Sequence, residues 1–308
     1  MVDLSVKIAG LVLKNPVLVA SGTFGYGQES ESLVDLQKLG GIVTKSVTLK
    51  RRDGNPPPRI CELPAGMLNS IGLANVGVRA FIAEKLPYLR SVDTAIIVNV
   101  AGSTVDEYVE VVGMLEEEEG IDAYELNFSC PNVKEGGLEF SQNAQVTAEA
   151  TRLVRNVTAR PLIVKLTPNV TRVGEIAQAA ADGGADAVSL INTLVGLAVD
   201  VETRRPKIYT GAGGYSGPAI KPVALAKVFE VANQVDIPII GIGGIMNLND
   251  TLEFLITGAS AVQVGTANFV DPATGERIAT ELRDHCQRNG IAAMAELVRS
   301  LLPWDDAK

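Results

Sequence analysis

The sequence contains few residues that form cross-links or bind metals. Its 308 residues include three cysteines and one histidine, and Cys61, Cys130 and Cys286 lie far apart without a CxxC pair. This spacing argues against a disulfide framework and against a zinc or iron–sulfur site, so we predict no metal in this chain. Reduced, unpaired cysteines are typical of cytoplasmic proteins. We expect Cys61, Cys286 and the single histidine, His285, to have no chemical role.

Long apolar runs and an excess of positive charge are also absent. No run of about 18 apolar residues could span a bilayer, and the first ten residues lack the basic and apolar regions of a signal peptide. Lysine plus arginine number 27 against 36 for aspartate plus glutamate, a net charge of −9. An acidic chain is poorly suited to nucleic acid. We expect a cytoplasmic protein that binds small molecules or other proteins, and neither membranes nor nucleic acid.

Aromatic residues are scarce, at 5%, whereas hydrophobic residues make up 46% of the chain. The core is therefore aliphatic, which suits helices packed on a parallel sheet. Eight short apolar segments alternate with eight amphipathic segments, a pattern typical of repeated βα units. The predicted strands are residues 16–20, 41–47, 94–100, 123–128, 161–166, 186–191, 237–242 and 261–265. The predicted helices are residues 29–39, 75–89, 105–118, 143–157, 170–182, 219–234, 248–257 and 275–289.

This alternation predicts an α/β fold with a single domain over residues 1–308, a (β/α)8 TIM barrel preceded by a small hairpin at 4–13. A doubly wound sheet of eight strands is the alternative. Two insertions, 48–68 and 195–218, follow predicted strands, so in a barrel both lie on the C-terminal face, where such enzymes build their sites. We expect one insertion to be a lid and the other a ligand-binding loop.

Polar residues follow most of the predicted strands, where a barrel would turn them toward a shared mouth. They are Ser21, Lys45, Ser46, Asn99, Asn127, Lys165, Asn192 and Thr193. A buried lysine needs an anion or a polarisable partner, and a buried amide needs partners for both of its ends. We infer that the mouth holds a planar, polar and partly anionic ligand.

The last two predicted strands indicate a phosphate site. Gly243 and Gly244 follow the seventh strand, and Gly265 and Thr266 follow the eighth, where barrel enzymes commonly bind phosphate through backbone N–H groups. The segment GIGGIM lacks the third glycine of a dinucleotide fingerprint, so no NAD site of that kind is predicted. FMN fits, because it joins one phosphate to a flat ring whose reduced form is anionic and is favoured by a nearby lysine. A sugar phosphate would also fit the cradle but would not need the asparagines.

Cys130 lies at the end of the fourth predicted strand, between two asparagines and directly before Pro131. Two glycines, Gly136 and Gly137, follow it, so we expect a hinged flap over the mouth. A thiol whose surroundings favour the thiolate can act as an acid or a base. A nucleophilic cysteine normally has an adjacent histidine, and the only histidine is far along the chain. We therefore predict that Cys130 is a general base.

Several motifs together resemble the dihydroorotate dehydrogenases. They are ELNFSCPNVKEGG (125–137), NSIGLANVG (69–77), TKS (44–46), INT (191–193), GGYSGPAIKPVAL (213–225), GIGGI and VGTANF. The resemblance runs from about residue 4 to residue 300, and several of these motifs fall in order at their expected strand ends. The resemblance implies a class 1 enzyme, because class 2 members have serine in place of Cys130 and a membrane-associating extension. INTLVG and NVKEGG resemble the B type within class 1.

The resemblance to the B type also implies partners and cofactors. The chain would carry one FMN and pair, as a homodimer, with two electron-transfer subunits that hold FAD and a [2Fe–2S] cluster and deliver electrons to NAD. The absence of a dinucleotide fingerprint and of a cysteine cluster in this chain agrees with that division. The 48–68 segment is then either a surface for the partner subunit or a plain exposed loop.

By the same resemblance, the reaction is oxidation of (S)-dihydroorotate to orotate in the pathway to UMP. Cys130 would remove the proton from C5 while hydride leaves C6 for N5 of the flavin. FMN would be bound by Ser21, Lys45, Ser46, Asn99, Asn127, Lys165, Ile191, Gly217, Gly243, Gly244, Gly265 and Thr266. The substrate would be bound by Lys45, Asn69, Ser70, Ile71, Gly72, Leu73, Asn127, Asn132, Asn192 and Thr193.

Three alternatives stay open on the sequence. An A-type class 1 enzyme would act as a homodimer with fumarate as acceptor. A flavin enzyme that reduces uracil in tRNA shares the barrel, FMN and a cysteine, but the net charge of −9 and the lack of a basic RNA-binding domain disfavour it. A non-redox isomerase or aldolase acting on a sugar phosphate would purify without flavin.

Overall fold

The computed structural model of the chain describes residues 2–128 and 140–304. Within them, eight parallel strands close into a barrel in which neighbours follow the chain order. The barrel strands are β1 (Val17–Val19), β2 (Gly41–Val43), β3 (Ala95–Val100), β4 (Ala123–Asn127), β5 (Leu162–Lys165), β6 (Ala187–Leu190), β7 (Ile239–Ile242) and β8 (Ala261–Val264). They are the eight predicted strands, each shorter than predicted, so the predicted TIM barrel is confirmed.

The strands are apolar on both faces because both faces are covered, and every residue of β1, β2 and β4 to β8 is buried. The few polar residues in them are held level by the strand register. Asn99 of β3 lies opposite Glu125 of β4, and Asn127 of β4 lies opposite Lys165 of β5. Hydrogen bonding between parallel strands thus brings these polar side chains to the carboxyl end of the barrel.

Six of the predicted helices are present in the described residues, with their ends shifted by three residues or fewer. They are Val105–Glu116, Ala144–Arg155, Val173–Asp182, Lys221–Ala232, Leu248–Thr257 and Thr274–Asn289. The side chains of Thr104, Asn143 and Asn247 accept hydrogen bonds from backbone N–H groups of the first turn and fix three of the N-termini. None of the helices in the described part of the chain is long and apolar enough to cross a membrane.

The prediction of a helix at 29–39 is wrong. Two 3-10 turns, Gln28–Ser30 and Leu36–Lys38, take its place. Side chains capture the backbone donors that a helix would need: the Asp35 carboxylate accepts from Gln37 N at 3.2 Å, and Asp35 N donates to Glu276 Oε2 at 2.9 Å. The bond between Asp35 and Gln37 is local and competes with a helical one, whereas the bond from Asp35 to Glu276 comes from a distant part of the chain. The apolar spacing of this segment therefore misled the prediction.

The helix predicted at 75–89 is present only in part. Two α-helical pieces, Val78–Ala80 and Leu86–Leu89, flank a π-helical turn at Phe81–Lys85. Pro87 has no N–H to donate to the carbonyl four residues earlier. A wider turn immediately before a proline is a known response to that missing hydrogen bond.

The predicted N-terminal hairpin is confirmed, with Val6–Ile8 antiparallel to Leu11–Leu13. The two insertions, by contrast, are not separate loops. Their strands form one four-stranded antiparallel sheet, which we call the mouth sheet. Its strands, in spatial order, are Leu194–Leu197, Ala212–Ser216, Gly66–Asn69 and Ile60–Leu63. A short ribbon, Val199–Asp200 with Arg205–Pro206, extends from it.

The mouth sheet has a small core of its own, formed by Leu68, Ala198 and Ile208. Both of its segments leave the carboxyl ends of barrel strands, β2 and β6, as predicted. The sheet therefore stands on the C-terminal face and joins two parts of the chain that are more than a hundred residues apart. This pairing brings Asn69, a predicted substrate residue that directly follows the first insertion, against Gly214 of the second.

Candidate active site

A buried carboxylate lies at the centre of the polar side chains inside the barrel. Glu125 of β4 is fully buried and accepts hydrogen bonds from Asn99 Nδ2 at 2.7 Å, Ser189 Oγ at 2.8 Å and Gln263 Nε2 at 2.7 Å. The ammonium group of Lys165 lies 3.6 Å from Glu125 Oε1. Because an unpaired buried charge is costly, this arrangement satisfies both the carboxylate and the lysine.

The other predicted flavin residues extend from Glu125 toward the barrel mouth. Ser46 Oγ donates to Asn99 Oδ1 at 2.6 Å, and Asn127 Nδ2 lies 3.5 Å from Ser46 Oγ. Asn99, Ser46 and Asn127 are all buried. Asn192 Nδ2 in turn lies 3.5 Å from Asn127 Oδ1. The structure therefore brings predicted flavin residues and a predicted substrate residue into one connected set.

The same set reaches the mouth sheet through Thr193. Its backbone N–H donates to Asn192 Oδ1 at 2.8 Å, and its side chain packs so closely on Gly214 that a Cβ there would lie 2.1 Å from Thr193 Oγ1. Asn69 Nδ2 donates to the Gly214 carbonyl from the other side, at 3.2 Å. Position 214, between the predicted substrate residues Asn69 and Thr193, must therefore be glycine, because Thr193 lies too close to it for a side chain.

Ser70 begins the predicted substrate loop. Its backbone N–H donates to the Arg59 carbonyl at 2.8 Å, but its buried hydroxyl finds no hydrogen-bond partner among the described residues. A buried hydroxyl without a partner is uncommon in proteins and calls for an explanation such as a ligand. Ser70 is therefore a candidate contact for a bound polar molecule.

The remainder of this loop is held in an unusual backbone conformation. Gly72 has φ +75° and Leu73 has φ +57°. Asn55 supports the turn, since its N–H donates to the Ile71 carbonyl at 3.0 Å and a Cβ on Gly72 would lie 2.8 Å from that nitrogen. A leucine with positive φ costs roughly 1–2 kcal/mol, and such strain concentrates at ligand sites. The predicted residues Ile71, Gly72 and Leu73 thus share one turn, which has positive φ at Gly72 and Leu73 and is supported by Asn55.

Lys45 follows β2 and is half-buried. Its backbone N–H donates to the Gly25 carbonyl at 2.8 Å, which fixes its position beside β1. Burial lowers the pKa of Lys45, and the positive charge of Arg59 lowers this pKa further, while Glu29 opposes the change. An anionic neighbour would stabilise the ammonium form that burial disfavours, and binding an anionic ligand is the role predicted for Lys45.

The first pair of the predicted phosphate cradle follows β7. Gly243 has φ +128° and Gly244 has φ +74°. A Cβ on Gly243 would lie 2.9 Å from Ala224 Cβ, and one on Gly244 would lie 2.7 Å from Lys221 Cβ and 2.9 Å from Lys221 N. Both glycines are thus needed by conformation and by close contact with the helix Lys221–Ala232.

The second pair follows β8, where Gly265 precedes the 3-10 turn Thr266–Phe269. Thr266 Oγ1 donates to Ser216 Oγ of the mouth sheet at 2.8 Å. Gly217, with φ +107°, comes directly after Ser216, and a Cβ on it would lie 2.6 Å from Gly66 Cα. The hydrogen bond between Thr266 and Ser216 ties the mouth sheet to the loop after β8, so Gly217, Gly265 and Thr266 lie in one neighbourhood.

Two further predicted flavin residues stand at neighbouring strand ends. Ile191 follows β6; it is buried, and its N–H donates to the Ile242 carbonyl of β7 at 2.9 Å. The peptide between Leu190 and Ile191 is cis. Ser21 follows Ala20, whose N–H donates to the Val264 carbonyl of β8 at 2.8 Å. Ser21 therefore lies at the junction of β1 and β8.

Cys130 and Asn132 lie outside the described residues, so their predicted roles remain predictions. The described residues on each side of their segment pack together. The rings of Phe128 and Phe140 are 5.6 Å apart, and Tyr108 meets both edge to face, at 5.2 and 5.9 Å. This aromatic cluster fixes where the segment that carries Cys130 leaves the barrel and where it returns.

Sequence reasoning missed three members of the buried set, Glu125, Ser189 and Gln263. A signal was available, because side chains two residues apart in a strand share a face. Asn127 was predicted to face the barrel mouth, so Glu125 must face the same interior. A glutamate and a glutamine within otherwise apolar buried strands also required polar partners.

The described residues fit FMN. Amides of Asn99 and Asn127 with the Lys165 ammonium supply the donors and acceptors that a flat heterocycle with carbonyl groups needs. The glycine-rich ends of β7 and β8 present backbone at the place where a phosphate is bound in barrels of this kind.

No group of three or more metal-ligating side chains occurs in residues 2–128 and 140–304.

Together, the closed barrel and its polar mouth define a (β/α)8 barrel enzyme whose site lies between the strand ends and the mouth sheet. The model of the family described as "Dihydroorotate dehydrogenase" matches residues 3–286. The chain belongs to the dihydroorotate dehydrogenase family, which binds FMN.

Relatives agree with this assignment. The chain is 54% identical to "Dihydroorotate dehydrogenase B (NAD(+)), catalytic subunit" of Geotalea uraniireducens, over 97% of this chain and 98% of that protein. It is 51% identical to the protein of the same name from Phocaeicola vulgatus, over 98% and 99% of the two chains. Among solved structures, the complex of DHODH with ferulenol from Eimeria tenella has the same fold. The TM-score is 0.80 at 23% identity, covering 97% of this chain and 88% of the other.

Proposed function

We propose that this chain is the catalytic subunit of an NAD+-linked dihydroorotate dehydrogenase, which oxidises (S)-dihydroorotate to orotate with FMN. The observation that carries the proposal is the set of polar contacts that runs from Lys165 and Asn99, at the predicted flavin position, through Asn127 to Asn192 and Thr193, at the predicted substrate position. A sugar-phosphate enzyme would have no use for this array of amides beneath a phosphate cradle.

The residues divide the work in this proposal. Asn127 and Asn192 hold the amide edges of the pyrimidine ring, since each amide pairs with one donor and one acceptor. Lys45, half-buried beside Arg59, attracts the substrate carboxylate. The turn at 70–73 covers the substrate, and the Ser70 hydroxyl, unpaired among the described residues, gains a polar partner.

The reaction removes two hydrogens from adjacent ring carbons. The thiolate of Cys130 takes the proton from C5, and the C5–H electron pair becomes the C5–C6 double bond of orotate. When bound, FMN supplies the acceptor for the hydride that leaves C6. Cys130 then returns its proton to solvent before the next cycle.

A second subunit completes electron transfer in this proposal. Relatives with 51–54% identity are named catalytic subunits of an NAD(+) enzyme, and neither GIGGIM nor GAGGYSG of this chain matches the dinucleotide fingerprint. A partner bearing FAD and a [2Fe–2S] cluster would pass electrons to NAD, with two copies of this chain and two of the partner in the assembly.

The proposal is tested with dihydroorotate and two acceptors. The purified chain, supplied with FMN, should form orotate with an electron-accepting dye, and should form NADH only when the partner subunit is added. Orotate formation with fumarate by this chain alone would move it to the A type. A protein that neither binds FMN nor forms orotate with the dye would refute the proposal.

A further inference from the structure

Glu125 has no assigned role in the reaction, yet its carboxylate contacts four side chains inside the barrel. In the described residues, the charged side chains classed as buried are Glu125, Lys165 and Asp250, and Asp250 pairs with Lys221 at 2.6 Å near the surface of the helix layer. Glu125 and Lys165 thus form the one ion pair of the described barrel interior in which both side chains are less than a tenth exposed.

The contacts of Glu125 span five neighbouring or facing strands. It lies on β4 and contacts Asn99 on β3, Lys165 on β5, Ser189 on β6 and Gln263 on β8. One carboxylate oxygen serves Asn99 and Lys165, and the other serves the remaining two. Glu125 therefore fixes the positions of the two predicted flavin residues, Asn99 and Lys165, from the side opposite the mouth.

The charge of Glu125 matters as much as its hydrogen bonds. Lys165 alone would place a full positive charge at the flavin position, and such a charge favours the reduced, more negative form of a flavin. A carboxylate 3.6 Å from that ammonium offsets much of its field, because both side chains are buried. The chain therefore holds a neutral pair, and not a bare cation, beneath the predicted ring.

We propose that Glu125 is a positioning residue that holds Lys165 and Asn99 against FMN and, by neutralising Lys165, keeps the reduction potential of the bound flavin low. The inference rests on the proposed function, because it requires FMN at this position. A merely structural role would change stability but not the potential, since removing a packing contact does not discriminate between the two oxidation states of a ligand.

Glu125→Gln is the informative variant. It removes the charge and keeps the shape, and the barrel can accommodate it. Gln263 Oε1 is buried without a hydrogen-bond partner among the described residues, so a flip of the Gln263 amide would let that oxygen accept from the new amide N–H. Ser189→Ala is the matched control, because it removes one hydrogen bond to Glu125 and leaves the charge in place.

The readout is the midpoint potential of bound FMN, measured anaerobically against a reference dye, with the dissociation constant of oxidised FMN measured alongside. Glu125→Gln should raise the preference of the site for reduced over oxidised FMN about tenfold, which is about 30 mV for a two-electron couple. Ser189→Ala should shift it by less than a third of that amount. A potential in Glu125→Gln that matches the control, or lies below wild type, would overturn the inference.

A melting experiment covers the case in which Glu125→Gln fails to bind FMN. Lys165→Gln leaves the carboxylate without its cation and should lower the melting temperature, and adding Glu125→Gln should restore part of the loss. Equal melting temperatures for Lys165→Gln and the double variant would overturn the inference. If the wild-type chain itself binds no FMN, the proposed function fails. That outcome is distinct from an unshifted potential in Glu125→Gln and from equal melting temperatures of Lys165→Gln and the double variant.

Discussion

Replacing Gly244 by alanine should damage both the fold and the phosphate cradle. Gly244 has φ +74°, and an added Cβ would lie 2.7 Å from Lys221 Cβ and 2.9 Å from the Lys221 backbone nitrogen. The left-handed conformation costs an alanine about 1–2 kcal/mol, and overpacking against backbone costs about 1–3 kcal/mol. The expected destabilisation is therefore about 2–5 kcal/mol.

Gly113→Ala is the matched control. Gly113 lies within the helix Val105–Glu116, where a Cβ would meet nothing within 4 Å. The same exchange there should stabilise the chain by about 0.5–1 kcal/mol. Because both variants restrict the unfolded chain equally, the difference between them isolates the strain at Gly244.

Thermal unfolding and FMN titration together test this reasoning. The melting temperature of Gly244→Ala should fall by several degrees, at roughly 1.5 °C per kcal/mol for a chain of this length. Its dissociation constant for FMN should rise more than tenfold, because the backbone donors after β7 must shift. If Gly244→Ala has the same melting temperature as Gly113→Ala and binds FMN normally, the close contact with Lys221 is refuted.

Three further outcomes are expected. Cys130→Ala should retain FMN and lose turnover, while Cys130→Ser should regain turnover only at raised pH, because a hydroxyl is harder to ionise than a thiol; turnover near wild type in the alanine variant would remove Cys130 from the role of base. Burial and Arg59 lower the pKa of Lys45 from 10.5, so orotate affinity should decline as the pH rises through that lowered pKa and the ammonium is lost. Lys45→Arg should move this decline to higher pH, and identical pH profiles of orotate affinity in the two proteins would contradict the reasoning. Tyr108→Phe should lower the free energy of unfolding by about 1 kcal/mol in urea titrations, because the buried hydroxyl donates to the Asn127 carbonyl at 2.8 Å; an unchanged midpoint would show that this bond contributes nothing.

The barrel was predictable because its information is local. Each apolar run and each strand-end residue can be identified within a short window, and the eightfold alternation then fixes where the strand ends meet. Lys165, Asn99, Asn127 and the glycines after β7 and β8 were all found in this way. The helix at 29–39 failed for the opposite reason, since its backbone donor at Asp35 is taken by Glu276, more than two hundred residues away.

The mouth sheet shows the same limit. Asn69 pairs with Gly214 across a gap in sequence that no local pattern spans. The two insertions were recognised, and their place on the C-terminal face was predicted, but their union into one sheet depends on pairing between distant segments. Glu125 is an intermediate case, since the alternation along β4 indicated where it faces but not which four side chains it would meet.

Anaerobic mixing of the FMN-loaded chain with dihydroorotate tests the account most directly. The visible absorbance of the flavin should bleach in a single turnover, with orotate released in equal amount, and the Cys130→Ala variant should stay yellow. A wild-type protein that binds FMN but does not bleach would contradict the assignment of substrate. A chain that takes up no FMN at all would contradict the flavin site that Lys165, Asn99 and Asn127 are proposed to form.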